Sequence, residues 1–196
     1  ITLQGSPLYG WNPVIKRVLD VVGASAALVV FSPVLCAIAA LVKLTSPGPV
    51  FFRQLRMGLD GQAFEMLKFR SMKLDAESET GPVWTQPNDD RRTPIGAFLR
   101  RTSLDELPQF WNVLRGEMSI VGPRPERPEF IARFRETLPQ YMLRHKMKAG
   151  ITEWAQINGW RGNTSLERRI EHDLYYIEHW SIWFDFKIML LTVWRG

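Results

Sequence analysis

Residues 21–42 read VVGASAALVVFSPVLCAIAALV, and this uncharged run decides which folds the chain can adopt. As a straight helix it would be about 33 Å long, which is enough to cross a hydrocarbon layer about 30 Å thick. The run is too long for the apolar part of a signal peptide, and no cleavage site follows it. We therefore predict a membrane element, with a helix buried in a soluble core as the alternative.

Ser32 and Pro33 interrupt the middle of this run. Because proline removes a backbone hydrogen bond and clashes with the preceding turn, the helix should kink at this point. The positive-inside rule retains basic flanks in the cytoplasm, and both ends of the run are basic. This pattern predicts a re-entrant helix over about residues 18–44, with a kinked spanning helix as the alternative. The flanking basic residues are Lys16 and Arg17 before the run and Lys43, Arg53 and Arg56 after it.

The composition limits the number of domains and the classes of partner. A chain of 196 residues suits a single domain, and we expect an N-terminal flank (1–15) followed by one membrane-associated domain (16–196). The chain begins with Ile1 rather than Met, which suggests a piece of a longer protein. A net charge of +5 indicates an anionic partner, such as anionic lipid, nucleic acid or nucleotide-sugar phosphates. One cysteine and three scattered histidines exclude a disulfide framework and a Cys or His metal site.

Two adjacent carboxylates, Asp105 and Glu106, precede a short predicted helix that ends at Gly116. Pro108 favours a helix start at that residue, whereas Ser103 and Glu106 are typical of a capping box that starts the helix one turn earlier. Either start places both carboxylates at the positive end of the helix, where ionised carboxylates and phosphate groups are stabilised.

Arg100 and Arg101 lie one turn upstream of the carboxylates. An aspartate that stays ionised beside cations can attack phosphorus or hold a divalent metal. Acidic residues also occupy the N-termini of many helices without any chemical role. This stretch alone leaves both interpretations open.

Short elements are predicted for most of the remaining chain. Strands at 50–53 and 64–69 should pair as a hairpin around a turn at 58–61. A capping box of Thr164 and Glu167 should start a later helix. The other predicted segments are a long polar loop at 73–94, a helix at 95–101, an extended segment at 118–121, and helices at 126–138, 139–147 and 164–179.

Two segments are predicted from special residues. Residues 122–125 read GPRP, a stiff turn that presents Arg124 for bidentate contact with phosphate; a plain surface turn is the alternative. Residues 180–194 are aromatic but include Asp185 and Lys187. They predict a helix that lies in the membrane interface, with a core helix as the alternative.

Several strings of this sequence together resemble the signature of the bacterial sugar transferases. These are the monotopic phosphoglycosyl transferases, which move a sugar-1-phosphate from a nucleotide sugar to a polyprenyl phosphate. Two positions depart from the family pattern: Ala149 replaces the usual Pro, and Glu153 replaces the usual Gly. The matching strings are KFRSM at 68–72, SLDELPQ at 103–109, NVLRGEMS at 112–119, VGPRP at 121–125 and AGITEWAQINGWRG at 149–162.

The resemblance implies a specific reaction and specific roles. A hexose-1-phosphate would pass from a UDP-sugar to undecaprenyl phosphate through an aspartyl sugar-phosphate on Asp105, with release of UMP. Glu106 would support the metal or act as a base, and both carboxylates would hold Mg²⁺. The NGWRG form of the last string resembles members that use UDP-glucose or UDP-galactose. The implied substrate-binding residues are Lys68, Arg100, Arg124, Gln156 and Arg161, and the Ser32–Pro33 break marks the membrane element.

The resemblance also implies where the protein acts. The site would face the cytoplasm at the bacterial inner membrane, in the first membrane step of exopolysaccharide, capsule or O-antigen synthesis. Membrane lipids are expected partners, and a homodimer is left open. Nucleic acid is not an expected partner, because sequence-specific nucleic-acid motifs are absent from the sequence. The predicted fold is α+β and mostly helical, with a re-entrant membrane helix, interfacial amphipathic helices and a small β-hairpin.

Two other functions fit the residues without the resemblance. A metal-dependent phosphohydrolase of lipid diphosphates would use the same carboxylates to activate water. A non-enzymatic basic membrane module would recruit partners through its charge. The non-enzymatic module would give no role to the Asp105–Glu106 pair or to the GPRP string.

Overall fold

The computed structural model describes residues 10–74, 76, 89–131, 141–162 and 164–195. The helices are α1 (Asn12–Val30), α2 (Ser32–Thr45), α3 (Gly96–Arg101), α4 (Gln109–Arg115), α5 (Trp154–Ile157), α6 (Leu166–Glu178) and α7 (Ile182–Arg195). The strands are β1 (Phe51–Met57), β2 (Ala63–Phe69), β3 (Ser119–Val121) and β4 (Gly150–Thr152). Short 3₁₀ helices cover Leu59–Gly61, Leu104–Glu106 and Tyr141–Lys146.

The helix break predicted at Ser32 and Pro33 is confirmed. Helices α1 and α2 meet at Phe31 and are bent by 62°. Pro33 lies in the first turn of α2, where its missing N–H costs least, and the Ser32 hydroxyl donates to the Val29 carbonyl at 2.8 Å. By length and composition no single described helix would cross a membrane, whereas the bent pair passes the same test as a broken span or a re-entrant loop. Helix α1 starts at Asn12, several residues before the predicted limit of 18.

The predicted hairpin is also confirmed. β1 and β2 pair antiparallel from Phe51 opposite Phe69 to Met57 opposite Ala63. The side chain of Asn112 on α4 binds this hairpin, since its Oδ1 accepts from the Leu67 N–H at 3.0 Å and its Nδ2 donates to the Glu65 carbonyl at 2.7 Å. The hairpin therefore fixes the helix that follows the two carboxylates.

A second, parallel pair of strands joins distant parts of the chain. β3 and β4 pair at Ser119 with Gly150 and at Val121 with Thr152. A Cβ on Gly122 would collide with the Lys148 carbonyl, and one on Gly150 would collide with the Gly122 main chain. Two glycines thus allow the segment after β3 to lie directly against the segment that contains β4.

Polar side chains near the start of α1 attach this helix to the rest of the molecule. The buried Lys16 Nζ donates to Asp185 Oδ2 at 2.6 Å and to the Val121 carbonyl at 3.1 Å. Arg17 donates to the carbonyls of Val113 and Leu114, at 2.6 and 2.8 Å, where α4 ends. The base of α1 is therefore bound to α4, to β3 and to α7.

Other predictions need correction or fall outside the described residues. Helix α6 is capped by Ser165, not Thr164, because the Ser165 Oγ accepts from the Arg168 N–H at 3.3 Å. Residues 128–131 are helical, but Tyr141–Lys146 is a 3₁₀ helix rather than part of an α-helix. Residues 132–140 of these predicted helices, and residues 75 and 77–88 of the predicted loop, lie outside the described residues.

Candidate active site

A cavity of about 550 Å³ lies between the hairpin, the carboxylate turn and the segment that follows β3. Gln156 is buried on α5 and is not among the described residues that line the cavity, so its predicted role in substrate binding stays a prediction. The predicted residues that do line it are Lys68, Arg100, Asp105, Glu106, Arg124 and Arg161.

The two carboxylates lie on a single 3₁₀ turn, Leu104–Glu106, directly before α4. Pro108 is the N-cap of α4, which confirms the start predicted from the proline. The predicted capping box is wrong, because Ser103 adopts the left-handed conformation (φ 56°) and makes no capping hydrogen bond. Its hydroxyl instead accepts from Arg161 Nη2 at 3.0 Å, so Arg161 supports the turn from the cavity side.

Glu106 is bound by two cations. Its Oε1 accepts from Lys68 Nζ and from Arg124 Nη2, both at 2.8 Å. Burial alone would raise the pKa of Glu106, but Arg124 and Lys68 outweigh it and hold the pKa well below its usual range. Glu106 is therefore an ionised partner that fixes both cations at the cavity wall.

Asp105 has a different environment on the same turn. Its side chain is buried and makes no hydrogen bond to a described residue. Burial raises the pKa of Asp105, and Lys68, Arg100 and Arg124 oppose this effect while Glu106 adds to it. Neighbouring carboxylates with opposite pKa shifts are typical of sites that give the two groups different roles. Asp105 is the one whose oxygens are left available to a bound molecule.

More cations line the cavity than the sequence analysis identified. Arg70 belongs to the KFRSM string and could have been found there; it donates to the carbonyls of Ser46 and Pro47 beyond the end of α2. The others come from segments far apart in the chain, so no local pattern indicated that they would meet. The additional cavity-lining cations are Arg56, Arg70, Lys73, Arg91, Arg127 and Arg169.

Apolar side chains also line the cavity. Phe51 and Phe69 are partners across the hairpin, and their rings stack with centroids 5.4 Å apart. Phe52 is the partner of Lys68, so it lies on the opposite face of the hairpin, together with that cation. The cavity therefore offers aromatic rings as well as cations to a bound molecule. The apolar lining residues are Pro49, Phe51, Phe52, Phe69, Met72, Leu74 and Phe130.

The site can hold Mg²⁺ only with help from a bound molecule. Among the described residues, no group of three or more His, Cys, Asp or Glu side chains could hold a metal ion. Lys68 and Arg124 already occupy Glu106 Oε1. Mg²⁺ is often bound by one or two carboxylates together with the phosphates of a substrate. Asp105 and a phosphate-bearing ligand fit that description.

The two departures from the family pattern are accommodated by the backbone. Glu153 adopts φ −143° and ψ 153°, an extended conformation open to any residue, so the freedom of glycine is not needed there. Ala149 is buried, and its carbonyl accepts from the Ser119 N–H at 2.8 Å. Neither change disturbs the carboxylate turn.

Comparison with known proteins gives a consistent result. A model of the bacterial sugar transferase family matches residues 11–196. The chain is 55% identical over 200 aligned positions to the UDP-glucose:undecaprenyl-phosphate glucose-1-phosphate transferase of Escherichia coli K12, covering 100% of this chain and 43% of that protein. It is 49% identical to the protein of the same name from Xanthomonas campestris pv. campestris, covering 93% of this chain and 38% of that protein.

A shorter relative is matched over nearly its whole length. The exopolysaccharide production protein PSS of Rhizobium leguminosarum bv. phaseoli is 45% identical, with 92% of this chain and 94% of that protein covered. In contrast, the chain spans about two fifths of the length of the Escherichia coli and Xanthomonas relatives. Because the family model covers nearly the whole chain and the identities are this high, the chain belongs to the bacterial sugar transferase family.

Proposed function

We propose that this chain is an enzyme that transfers a hexose-1-phosphate from a UDP-sugar to undecaprenyl phosphate and releases UMP. The observation that carries the proposal is the buried Asp105 in a cation-lined cavity, beside a Glu106 that two cations neutralise. The names of the Escherichia coli and Xanthomonas relatives favour UDP-glucose as the donor. The name of the Rhizobium relative favours a role in exopolysaccharide synthesis.

The cavity offers cations to the phosphate groups of both substrates and apolar side chains to the lipid. Lys68, Arg100 and Arg124 would bind the diphosphate, since buried cations and the planar guanidinium fork suit phosphate oxygens. Apolar lining side chains such as Phe52, which lies beside Lys68 on the hairpin, would receive the first isoprene units of the lipid. Both substrates are anionic at the reacting end, so they would use the same cations in turn.

The proposed reaction has two steps at one phosphorus atom. A carboxylate oxygen of Asp105 attacks the sugar-proximal phosphorus, and the bond from that phosphorus to the bridging oxygen breaks, so that UMP leaves with the electron pair. A phosphate oxygen of undecaprenyl phosphate then attacks the same phosphorus and displaces the Asp105 carboxylate. A covalent route of this kind lets a soluble and a lipid substrate arrive separately.

Mg²⁺ is the proposed metal, with Asp105 and the substrate phosphates as its ligands and Glu106 as support. When bound, the ion would neutralise charge on the diphosphate and on the leaving group. The protein's own contribution is to hold Lys68 and Arg124 in place through Glu106. These cations stabilise the same negative charge from the side of the protein.

We also propose that the chain lies on the cytoplasmic face of the bacterial inner membrane, with α1 and α2 forming a re-entrant element in one leaflet. Large apolar side chains on this pair and on α7 are exposed, as membrane contact requires. Neither α1 nor α2 by itself is both long and apolar enough to cross a membrane. The most exposed of these side chains are Val29, Val30 and Leu44 on the pair, and Trp183, Leu190, Val193 and Trp194 on α7.

The covalent step can be tested without the lipid substrate. Protein incubated with UDP-glucose and Mg²⁺ should release at most one UMP per chain and gain the mass of one glucose phosphate on the peptide that holds Asp105. Asp105→Asn should abolish both signals. Asp60→Asn is the matched control, because Asp60 lies in an exposed pair with Lys146 and should behave as wild type.

Adding undecaprenyl phosphate distinguishes the covalent route from direct transfer without an enzyme adduct and from hydrolysis of the donor. Radiolabelled glucose should then move into the lipid fraction and the adduct should disappear. Release of UMP only in the presence of lipid, with no trappable adduct, would rule out Asp105 as the nucleophile. Free sugar phosphate or inorganic phosphate without labelled lipid would instead identify a phosphohydrolase.

A further inference from the structure

Two buried ionisable side chains, Glu153 and Arg144, make hydrogen bonds to the main chain of Arg124, one to its N–H and one to its carbonyl. Pro123 and Pro125 have no N–H, so the Arg124 N–H is the single main-chain donor among these three residues. It donates to Glu153 Oε2 at 3.1 Å. On the other side, Arg144 Nη2 donates to the Arg124 carbonyl at 3.1 Å. The peptide groups of Arg124 are thus fixed by charged side chains from two other segments.

Both supporting side chains lie deep in the protein. Glu153 and Arg144 are each only 2% exposed. Arg144 is itself anchored by Asp173 on α6, at 2.7 Å. A buried carboxylate is costly unless hydrogen bonds and cations stabilise its charge. Because Glu153 Oε1 accepts no hydrogen bond from a described residue, the bond to the Arg124 N–H is the main polar contact of this carboxylate.

The contacts continue from Glu153 to the reacting turn. With its main chain fixed, Arg124 extends its guanidinium to Glu106 Oε1 at 2.8 Å, next to Asp105. Glu153 does not line the cavity itself. The described hydrogen bonds that link Glu153 to the cavity are those made by Arg124, from its N–H to Glu153 and from its guanidinium to Glu106.

We propose that Glu153 is a positioning residue, whose negative charge fixes the main chain of Arg124 so that the guanidinium is held for the diphosphate of the sugar donor. This inference rests on the proposed function, since it takes Arg124 as a phosphate ligand. The role depends on the charge of Glu153 as well as on its shape, because a hydrogen bond to an ionised acceptor is about twice as strong as a neutral one.

The charges around Glu153 make this role depend on pH. The groups that face it are Asp173 on α6, Arg124 and Glu126 in the segment after β3, and Arg144 in the 3₁₀ helix Tyr141–Lys146. Burial and Asp173 raise the pKa of Glu153, Arg124 and Arg144 oppose them, and the result is a pKa of about 7. Glu153 therefore gains its charge, and Arg124 its strongest support, as the pH rises through about 7.

The kinetic test compares wild type with the isosteric Glu153→Gln between pH 6 and pH 8.5 in the glucose transfer assay. At pH 8 the variant should show a KM for UDP-glucose about tenfold higher with little change in kcat, because ground-state and transition-state contacts of Arg124 are lost together. The difference between the two proteins should shrink as the pH falls towards 6, since the Glu153 carboxylate loses its charge in that direction and then resembles the neutral glutamine. Titration of the lipid phosphate affects both proteins equally, so only their difference is interpreted.

Glu171→Gln is the matched control. Glu171 lies on α6 in an exposed pair with Arg168, so its pH profile should follow wild type. Profiles of Glu153→Gln and wild type that superimpose over the whole pH range would overturn the proposal.

A second measurement does not depend on activity. Hydrogen–deuterium exchange of a peptide that crosses residues 122–125 reports mainly Gly122 and Arg124, because the prolines carry no amide hydrogen. At pH 8 exchange should be faster in Glu153→Gln than in wild type and faster still in Glu153→Gly, which also loses the acceptor. Glu171→Gln should leave the exchange rate of this peptide unchanged.

The two measurements fail in different ways. If wild type transfers no sugar, the proposed function is wrong, and the exchange experiment still decides whether Glu153 fixes Arg124. If sugar is transferred but exchange at 122–125 is unchanged in both Glu153 variants, the proposed function stands and the role of Glu153 is refuted.

Discussion

Asp105 and Glu106 show how adjacent residues of the same chemistry acquire different properties. Both are carboxylates on one short turn, but Lys68 and Arg124 bind Glu106 while Asp105 faces the cavity without a hydrogen bond to a described residue. The cations lower the pKa of Glu106 against the effect of burial, whereas burial raises the pKa of Asp105. A carboxylate with a raised pKa is the more basic of the two and the better suited to form a bond.

Arg124→Lys tests whether the guanidinium geometry is needed. Lysine keeps the positive charge but cannot bind Glu106 and a phosphate group through separate N–H groups of one planar fork. We expect kcat/KM for UDP-glucose to fall about tenfold or more, measured in the lipid-transfer assay. Arg168→Lys on the exposed face of α6 is the control and should have no effect. Equal rates for Arg124→Lys and wild type would show that charge alone is sufficient.

The sequence predicted six of the residues that line the cavity, including both carboxylates, but neither the remaining cations nor how these residues contact each other. The SLDELPQ and GPRP strings indicated Asp105 and Arg124, whereas the left-handed Ser103 and its bond to Arg161 had no local signal. Glycine is the residue that normally indicates a positive φ, and a serine there is understood only once its tertiary contact is known. Gln156 was chosen from a string match alone, and it is not among the described residues that line the cavity.

The bent pair α1–α2 is the element on which the proposed membrane placement depends. The break was predictable because proline acts locally, through its own ring and its missing N–H. The start of α1 at Asn12 was not predictable, because Lys16 interrupts the apolar pattern and is buried through tertiary contacts with β3, α6 and α7. The strands β3 and β4 were missed as a pair for a related reason: each has three residues, and they are joined across a long stretch of chain.

Cysteine labelling tests the topology of this element. Cys36 is exposed on α2, so Cys36→Ala provides the background for Trp11→Cys and Ser46→Cys. In sealed vesicles both new cysteines should react with a membrane-impermeant reagent from the same side. Adding Ser32→Ala and Pro33→Leu restores a continuous apolar helix, and the two sites should then label from opposite sides. Opposite-side labelling without the Ser32 and Pro33 changes would contradict the re-entrant arrangement.

Across the whole molecule, the base of α1 is the point where the proposed membrane element meets the part of the protein that contains the candidate active site. Besides the contacts of Lys16 and Arg17, Asp20 Oδ1 accepts from the Ser119 hydroxyl and from the Ile120 N–H, both at 2.9 Å. Helix α1 thus holds β3, which leads to Arg124, and the end of α4, the helix that follows the turn with Asp105. A movement of α1 would therefore be transmitted to β3 and to α4, and through them to the segments that carry Arg124 and Asp105.

Asp185→Leu should weaken this connection strongly. It removes the carboxylate that lies 2.6 Å from the buried Lys16 ammonium, and breaking a buried ion pair from one side costs about 3–5 kcal/mol. We expect a clear drop in the thermal unfolding temperature of the detergent-solubilised protein. The double variant Lys16→Met with Asp185→Leu should recover part of the loss, because the buried Lys16 charge is removed, while Trp180 still lacks the acceptor for its N–H.

The exposed ion pair Arg168–Glu171 is the control for the buried pair Lys16–Asp185. Glu171→Gln should change the free energy of unfolding by less than about 1 kcal/mol, since solvent screens that pair. An Asp185→Leu protein as stable as Glu171→Gln would show that the connection at the base of α1 does not stabilise the fold.

The contacts of Arg70 have a consequence for how a lipid substrate would arrive. Arg70 lines the cavity and donates to the carbonyls of Ser46 and Pro47, so a cation of the cavity is bound directly to the segment that follows α2. If α2 rests within one leaflet, this contact places the cavity close to the headgroups. A long carrier lipid would then reach the cavity by lateral diffusion within the leaflet. Its phosphate would contact the cations of the cavity while its tail remained among the neighbouring acyl chains.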